Sequence, residues 1–579
     1  MRSAGGVLFV AIALAAAAAA AEAPAPDLSG LWAAKLRYGP DIRGPLVLIR
    51  RPGGWRADLG GVSIPVAADG GRVSFVLPDG KGSFRGRRLG RDIVGQWIQE
   101  KSATGGIAYA TPLTLVPDGP GRWRGDIEPL PETFTYYLPL KRQGQGYAAY
   151  LRNPERNQGR FIPVSALQLD GERVRLTGRR GGQAADATLA EGRYDRENDV
   201  LSMPLRGSSF DFLRADADST SPFYARGKAG ERYHYAVPLH LDDGWPVASL
   251  KEVGIDQAGI ERFVQKLIDM PQEGVGTSQV HSLLIARHGK LVLEEYFHGY
   301  GRDTPHDIRS AGKSLTATLI GAAMLSGVPI REDMPVYRTM LGTLPPGLDA
   351  RKAQMTLRHL MTMNSGHFCD DRNDDAPGNE NAIQAQTEYP DLYGYILRLP
   401  MDRTPGEKIV YCSADALLAG GLLAKEAGEP LPELFQRLVA APLRMGRYHL
   451  NLTPAGELYT AGGFYFRTRD FMKLPQLMLN GGTWGRKRIV SREWVRRASA
   501  PLYDLSPIQQ YGYFWNSALY PWKGRKVRAV FAAGNGGQIF MEIPDLDLVI
   551  AFTSGNYSEA AGLLPQRVFI PEDILPAVN

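Results

Sequence analysis

Cysteine is nearly missing from this chain: Cys369 and Cys412 are the only two in 579 residues. That excludes a disulfide framework as the basis of the fold. With no C-x-x-C or H-E-x-x-H run, the sequence carries no metal signature either. The nine histidines are dispersed, so neither a metal nor a cofactor is expected. Charge of one sign is not concentrated. Lysine and arginine number 67 against 61 aspartates and glutamates, a net charge of +6. The arginines are scattered, which excludes the basic stripe of a nucleic-acid-binding surface. Past the first residues no apolar run is long enough to cross a bilayer.

Glycine and proline, by contrast, are plentiful, at 66 and 41 residues. Such a chain is rich in turns and strands, and its length predicts two or three domains. The opening stretch "MRSAGGVLFVAIALAAAAAAAEAPAPD" joins Arg2 to an apolar run from Val7 and then to small residues. That pattern is a secretory leader. Cleavage fits after Ala21 better than after Ala23, which Pro24 follows. No cysteine follows to carry a lipid. The expected product is an exported protein, periplasmic or secreted, of a bacterium, with no membrane span once residues 1–21 are removed.

The remainder divides near residue 245. Residues 22–244 read as an all-β domain of short alternating strands broken by "PGGW", "ADGG", "PDGKG" and "PDGPG". Within it "PLVLIRRPGGWRADL" (45–59) is echoed by "PLTLVPDGPGRWRGDI" (112–127), with Trp55 answering Trp123 and Asp58 answering Asp126. Two related halves of a barrel or sandwich are the expected arrangement. No reactive group of residues stands out there.

Residues 245–579 have a different texture. An amphipathic helix is expected over Asp256–Met270, and a hairpin in "HSLLIARHGKLVLEEYF" turning at His288-Gly289. Then comes "RSAGKSLTA", with Ser310 three residues before Lys313 at the head of an apolar, small-residue helix that stops at Gly327. The spacing S-x-x-K is common, and serine is a favoured helix cap. However, a helix this apolar all round is buried. Lys313 then faces Ser310, where desolvation lowers a lysine pKa and makes the amine a candidate base. Downstream, "YCS" sets Tyr411 and Ser413 just before a helix that ends at Gly428. Near the end, "AAGNGGQIFMEI" is a glycine-rich approach to a strand, where Gly536 and Gly537 permit close backbone packing and Gln538 offers an N–H.

S-x-x-K, then Y-x-S, then a glycine-rich strand approach, in that order, resembles the serine β-lactamase / penicillin-binding-protein-like superfamily. The closer likeness is to its class C-type branch of esterases, D-amino-acid peptidases and 6-aminohexanoate-dimer hydrolases. Segments such as "LRHLMTMNSGHFCDD" and "YGYFW" share the likeness, which covers about residues 250–570. The resemblance implies an α/β (α+β) fold, a central antiparallel sheet flanked by helices, behind the all-β domain. It implies Ser310 as the acylated nucleophile, Lys313 as holder of its proton and Tyr411 as general base. It also implies an oxyanion hole from the N–H groups of Ser310 and Gln538. Ser413 stands where this branch often has asparagine, and would bond Lys313 or a substrate amide. Asn535-Gly536-Gly537 replaces the usual K-T-G or H-x-G, so the lysine that meets a carboxylate is absent.

The expected function is therefore hydrolysis of an ester or amide in a small-molecule or short peptide-like substrate, through an acyl-enzyme on Ser310. Two alternatives stand beside it: a β-lactamase or D-amino-acid peptidase acting on peptidoglycan-like substrates, and a catalytically weak binding or scaffold relative. The acidic loop "HFCDDRNDD", led by Asp370 and Asp371, is a candidate for attracting an amine-bearing substrate, and Tyr513 and Trp515 are candidate pocket walls. Cys369 and Cys412 either pair, pinning the Tyr411 loop to this acidic loop, or remain two buried thiols.

Overall fold

The structure is a computed structural model that describes residues 26–103, 105–155, 161–179, 185–215, 222–226, 232–389 and 391–579. The leader and both candidate cleavage positions lie outside the described residues.

The N-terminal domain holds two closed antiparallel barrels, one inserted into the other. The first barrel is a meander of eight strands from Gly44–Arg51 to Arg122–Ile127, whose last strand pairs back onto its first, Leu46 opposite Gly125. Alternation drives it. Along Arg72–Val76 every second residue is buried, as a strand with one face on a core requires. Leu46, Leu48, Phe84 and Trp97 fill its interior. The second barrel opens with Gly30–Gly39, is interrupted by the whole first barrel, and resumes at Glu132–Gln143. It closes where Ser208–Arg214 pairs with the opening strand, Trp32 opposite Arg214, around Trp32, Tyr136, Leu138 and Phe212.

The two similar hairpins do not form separate halves. Both lie in the first barrel, side by side: Leu48 pairs with Ala57 on one flank and Trp123 on the other. Trp55 and Trp123 consequently stack, with ring centroids 5.1 Å apart. The echo in sequence marks two neighbouring hairpins of one ring.

The C-terminal domain is built on an eight-stranded antiparallel sheet. Its middle is Leu548–Ser554 between Val280–Arg287 and Gln538–Ile543, and Arg525–Gly534 follows. Helix Gln257–Ile268, capped by Asp256, covers one face together with the C-terminal segment. The other face carries helices Gly312–Leu325 and Ser413–Ala427. The hairpin turns at His288-Gly289, both at positive φ. Helix Ser413–Ala427 ends on Gly428 at φ 62°, where glycine carries no Cβ penalty.

The domains share hydrogen-bonded sheet. Strand Tyr448–Leu452 of the C-terminal domain pairs with Ala108–Ala110 where that strand leaves the first barrel. His449 bonds Thr111 at 2.7 Å and Gln436 bonds Gln96 at 2.7 Å across the same seam.

Candidate active site

Ser310 sits in a single 3-10 turn, Arg309–Ala311, that feeds directly into helix Gly312–Leu325. Arg309 is held at φ 49°, a left-handed conformation unusual for a side chain of its size. Asp307 supports this turn, accepting from the Arg309 N–H at 2.9 Å and forming an ion pair with its guanidinium at 3.1 Å. The chain at Gly462 passes so close that a Cβ there would lie 2.3 Å from the Arg309 carbonyl oxygen. Glycine at φ 132° is what lets the Ala461 segment reach Ser310.

Lys313 is only 1% exposed. Its ammonium donates to Ser310 Oγ at 3.1 Å and to the Ala461 carbonyl at 2.9 Å. It lies 5.1 Å from the Tyr411 ring centroid. Burial presses the Lys313 pKa downward, but Tyr411, Glu380 and Asp371 together outweigh it and hold the amine above its ordinary range. The expectation that desolvation turns Lys313 into a neutral base is therefore corrected. Surrounded by these groups it is a retained cation.

Tyr411 is positioned from both sides. Its carbonyl accepts from the Asp371 N–H at 3.0 Å, and the next residue, Cys412, is disulfide-bonded to Cys369. The open question of the two cysteines is settled in favour of the pair, which ties the Tyr411 loop to the acidic loop. Of that loop it is Asp371, not Asp370, whose charge acts on Lys313. Asp370 accepts from Arg372 N–H within its own turn, and neither carboxylate lines the cavity. Asp371 accepts from the Ser413 N–H at 2.9 Å and the Ser413 hydroxyl at 2.7 Å. Burial raises the Asp371 carboxyl to about 6, against the pull of Lys313.

Two expectations fail here. Ser413 is fully buried, and its hydroxyl is committed to Asp371, so it meets neither Lys313 nor substrate. A hydroxyl is shorter than an asparagine amide and reaches the neighbouring carboxylate first. Tyr513 and Trp515 are buried as well. The Tyr513 hydroxyl donates to Glu332 at 2.7 Å, so its ring belongs to the core and not to the pocket.

The glycine-rich turn lies alongside Ser310. A Cβ on Gly534 would stand 2.3 Å from the Ile308 carbonyl oxygen and 3.1 Å from Gln538 Cβ, which puts the start of strand Gln538–Ile543 next to the segment leading into Ser310. Gly536 and Gly537, both at φ 97°, run against Tyr557 and Ser554. The Gln538 side chain is buried between Ser554 and the Asn535 carbonyl. Asn535 lines the cavity but is paired reciprocally with Ser558, donating at 3.0 Å and accepting at 2.7 Å.

Ser310, Asp307, Arg309, Ala461 and Asn535 line a cavity of about 270 Å³. Sequence reasoning missed several of its walls. Glu380 opens helix Glu380–Ala385 and accepts from the Tyr459 hydroxyl at 2.7 Å. No local signal marks either residue. Asp307 and Arg309 lie just before Ser310 in sequence, and charge beside it was the available clue. Among the described residues no group of three or more histidines, cysteines, aspartates or glutamates is placed to hold a metal ion, and no helix is long and apolar enough to span a membrane.

The beta-lactamase family model matches residues 270–568, just over half of the chain. The chain belongs to the beta-lactamase family. A curated relative is the 6-aminohexanoate-dimer hydrolase of Paenarthrobacter ureafaciens, 23% identical over 250 residues, or 42% of this beta-lactamase-family chain. The chain spans 62% of the length of that relative. Among solved structures, a D-stereospecific amidohydrolase from Streptomyces sp. is 15% identical with a TM-score of 0.42, covering 55% of this chain and 98% of its own. EstCE1, a hydrolase with promiscuous acyltransferase activity, is 17% identical with a TM-score of 0.43, covering 55% of this chain and 97% of its own. The family match begins after the barrels, so the N-terminal domain lies outside it.

Proposed function

We propose that this chain is a serine hydrolase that cleaves an ester or amide through an acyl-enzyme on Ser310. The observation that carries the reading is the 3.1 Å hydrogen bond from Lys313 to Ser310 Oγ, with Ser310 lining the cavity and the same ammonium 5.1 Å from the Tyr411 ring centroid. In the proposed sequence Ser310 Oγ attacks the acyl carbon while its proton passes to the Tyr411 oxygen. Lys313 stays charged and steadies the oxygen that carries the negative charge. The N–H groups of Ser310 and Gln538 receive the carbonyl oxygen, because donors fixed where charge develops need no reorganisation. Tyr411 then returns the proton to the departing alcohol or amine. Water repeats the cycle: Tyr411 takes its proton, the hydroxide adds to the acyl carbon, and the acid leaves as Ser310 regains a proton.

A fluorophosphonate probe and p-nitrophenyl esters test the reading. The protein is expected to label at Ser310 and to hydrolyse the esters, with both signals lost in Ser310→Ala. Absence of labelling in the unaltered protein leaves the scaffold reading in its place. With Asn535 tied to Ser558 and no lysine at the glycine-rich turn, nitrocefin is expected to turn over slowly at best. Rapid turnover restores the β-lactamase alternative. Export belongs to the same proposal, supported by the composition of the leader and by a disulfide of a kind that persists in oxidising compartments. Mass spectrometry of protein secreted by an expressing bacterium is expected to find a new N-terminus after Ala21.

A further inference from the structure

The cavity at Ser310 is not made by the family domain alone. Tyr109 of the first barrel and Phe134 and Arg206 of the second also line it. Tyr109 arrives through the shared sheet. It pairs with Asn451, another lining residue, and its ring meets Tyr465 edge-on at 5.7 Å. The seam between the domains thus runs through the pocket wall. Arg206 arrives on a hairpin tip. Leu205 pairs with Ser208, and Arg206 and Gly207 turn between them at φ 52° and 76°. Its guanidinium lies over the Phe134 ring at 5.2 Å, and Phe134 is itself 1% exposed and rigidly packed. A guanidinium is a planar, permanently charged group whose shape suits a carboxylate.

We infer that the barrels complete the substrate pocket and that Arg206 is a specificity-determining residue, binding a carboxylate carried by the acyl substrate. The inference rests on the hydrolase reading only for the word substrate; binding to the pocket is independent of turnover. It also revises what Asn535 implies. The cation absent from the glycine-rich turn is supplied from a different domain, across the cavity seam, so a carboxylate-bearing substrate is met in a different orientation.

The test separates the two readings. In full-length Ser310→Ala protein, calorimetry measures binding of glutarate monoamide and of its uncharged counterpart, glutaramide. Arg206→Asn is the chosen variant because asparagine tolerates the left-handed turn. Arg206→Lys keeps the charge without the planar shape. Glutarate monoamide is expected to bind at least about tenfold more tightly than glutaramide, in line with a charge-assisted pair. Arg206→Asn is expected to abolish that preference and Arg206→Lys to retain part of it. Equal binding of the two ligands, no binding of either, or a preference that survives in Arg206→Asn overturns the role of Arg206. Loss of fluorophosphonate labelling in the protein with Ser310 intact bears instead on the hydrolase reading. In that protein, the ratio of kcat/KM for p-nitrophenyl hemiglutarate to that for p-nitrophenyl valerate is expected to fall about tenfold in Arg206→Asn.

Discussion

Lys313 shows how one residue takes its character from neighbours that burial brings to it. An isolated buried lysine loses its proton readily, yet here the nearby Asp371, Glu380 and Tyr411 keep the cation. Replacing Lys313 with methionine keeps the volume and removes the charge. We expect ester hydrolysis to fall by about a thousandfold, as for other groups that act as one catalytic unit, read from single-turnover acylation rates. Asp371 supplies a second residue-scale expectation. Its carboxyl, raised to about 6 by burial, becomes anionic as pH rises through that value and strengthens the hold on Lys313. Acylation is expected to rise through an inflection near pH 6 in the unaltered protein and to lose it in Asp371→Asn. A profile unchanged by that substitution removes Asp371 from the mechanism.

Elements fix the site through close approaches that tolerate no added atom. Helix Ser413–Ala427 packs so tightly that a Cβ on Gly420 would stand 2.2 Å from Thr460 Oγ1, and Thr460 precedes the carbonyl that receives Lys313. Gly420→Ala is expected to cost about 1–3 kcal/mol of stability through overpacking, seen in denaturant midpoints, and to slow acylation with it. In strand Gln538–Ile543, Glu542 is 3% exposed. Burial raises its carboxyl to about 8, with Arg528 only partly opposing. The unfolded chain ionises this group at an ordinary carboxylate pKa while the folded protein keeps its proton to about pH 8. Its contribution to stability is therefore complete at low pH and is lost as pH rises across that window, by up to about 1.4 kcal/mol per unit. Glu542→Gln is expected to flatten the decline, measured as unfolding free energy from pH 5 to 8.

At the scale of the whole molecule, buried charge ties the segment between the domains to the catalytic core. Arg469 is 2% exposed and donates to Asp243 at 2.5 Å and to Glu294 at 2.7 Å. Arg469→Ala leaves the mostly buried Asp243 without its guanidinium partner while Glu294 keeps Arg302, a loss of about 3–5 kcal/mol. Calorimetry is expected to show the barrels and catalytic domain of the unaltered protein unfolding together, since the hydrogen-bonded seam at Ala108–Ala110 joins their sheets. Two separate transitions in the unaltered protein would falsify that coupling.

Much of this was legible in the chain itself, because the forces involved are local. Alternation marked the barrel strands, apolar periodicity the helices, and turn residues such as His288-Gly289 and Gly428 their limits. S-x-x-K, Y-x-S and the glycine-rich turn named Ser310, Lys313, Tyr411 and the neighbourhood of Gln538. What the sequence could not carry was which side chain is the partner of which. Ser413 bonds Asp371 and Tyr513 bonds Glu332, and such pairings depend on loops that meet only after folding. The charge of Lys313 depends on Asp371 and Glu380, and the pocket wall on Arg206, set in a separate barrel. The sequence by itself determined the elements and the order of the three motifs, since periodicity and spacing are properties of neighbouring residues. Only the tertiary structure decided the protonation, the partners and the shape of the cavity, since electrostatics and packing are set by distance in space.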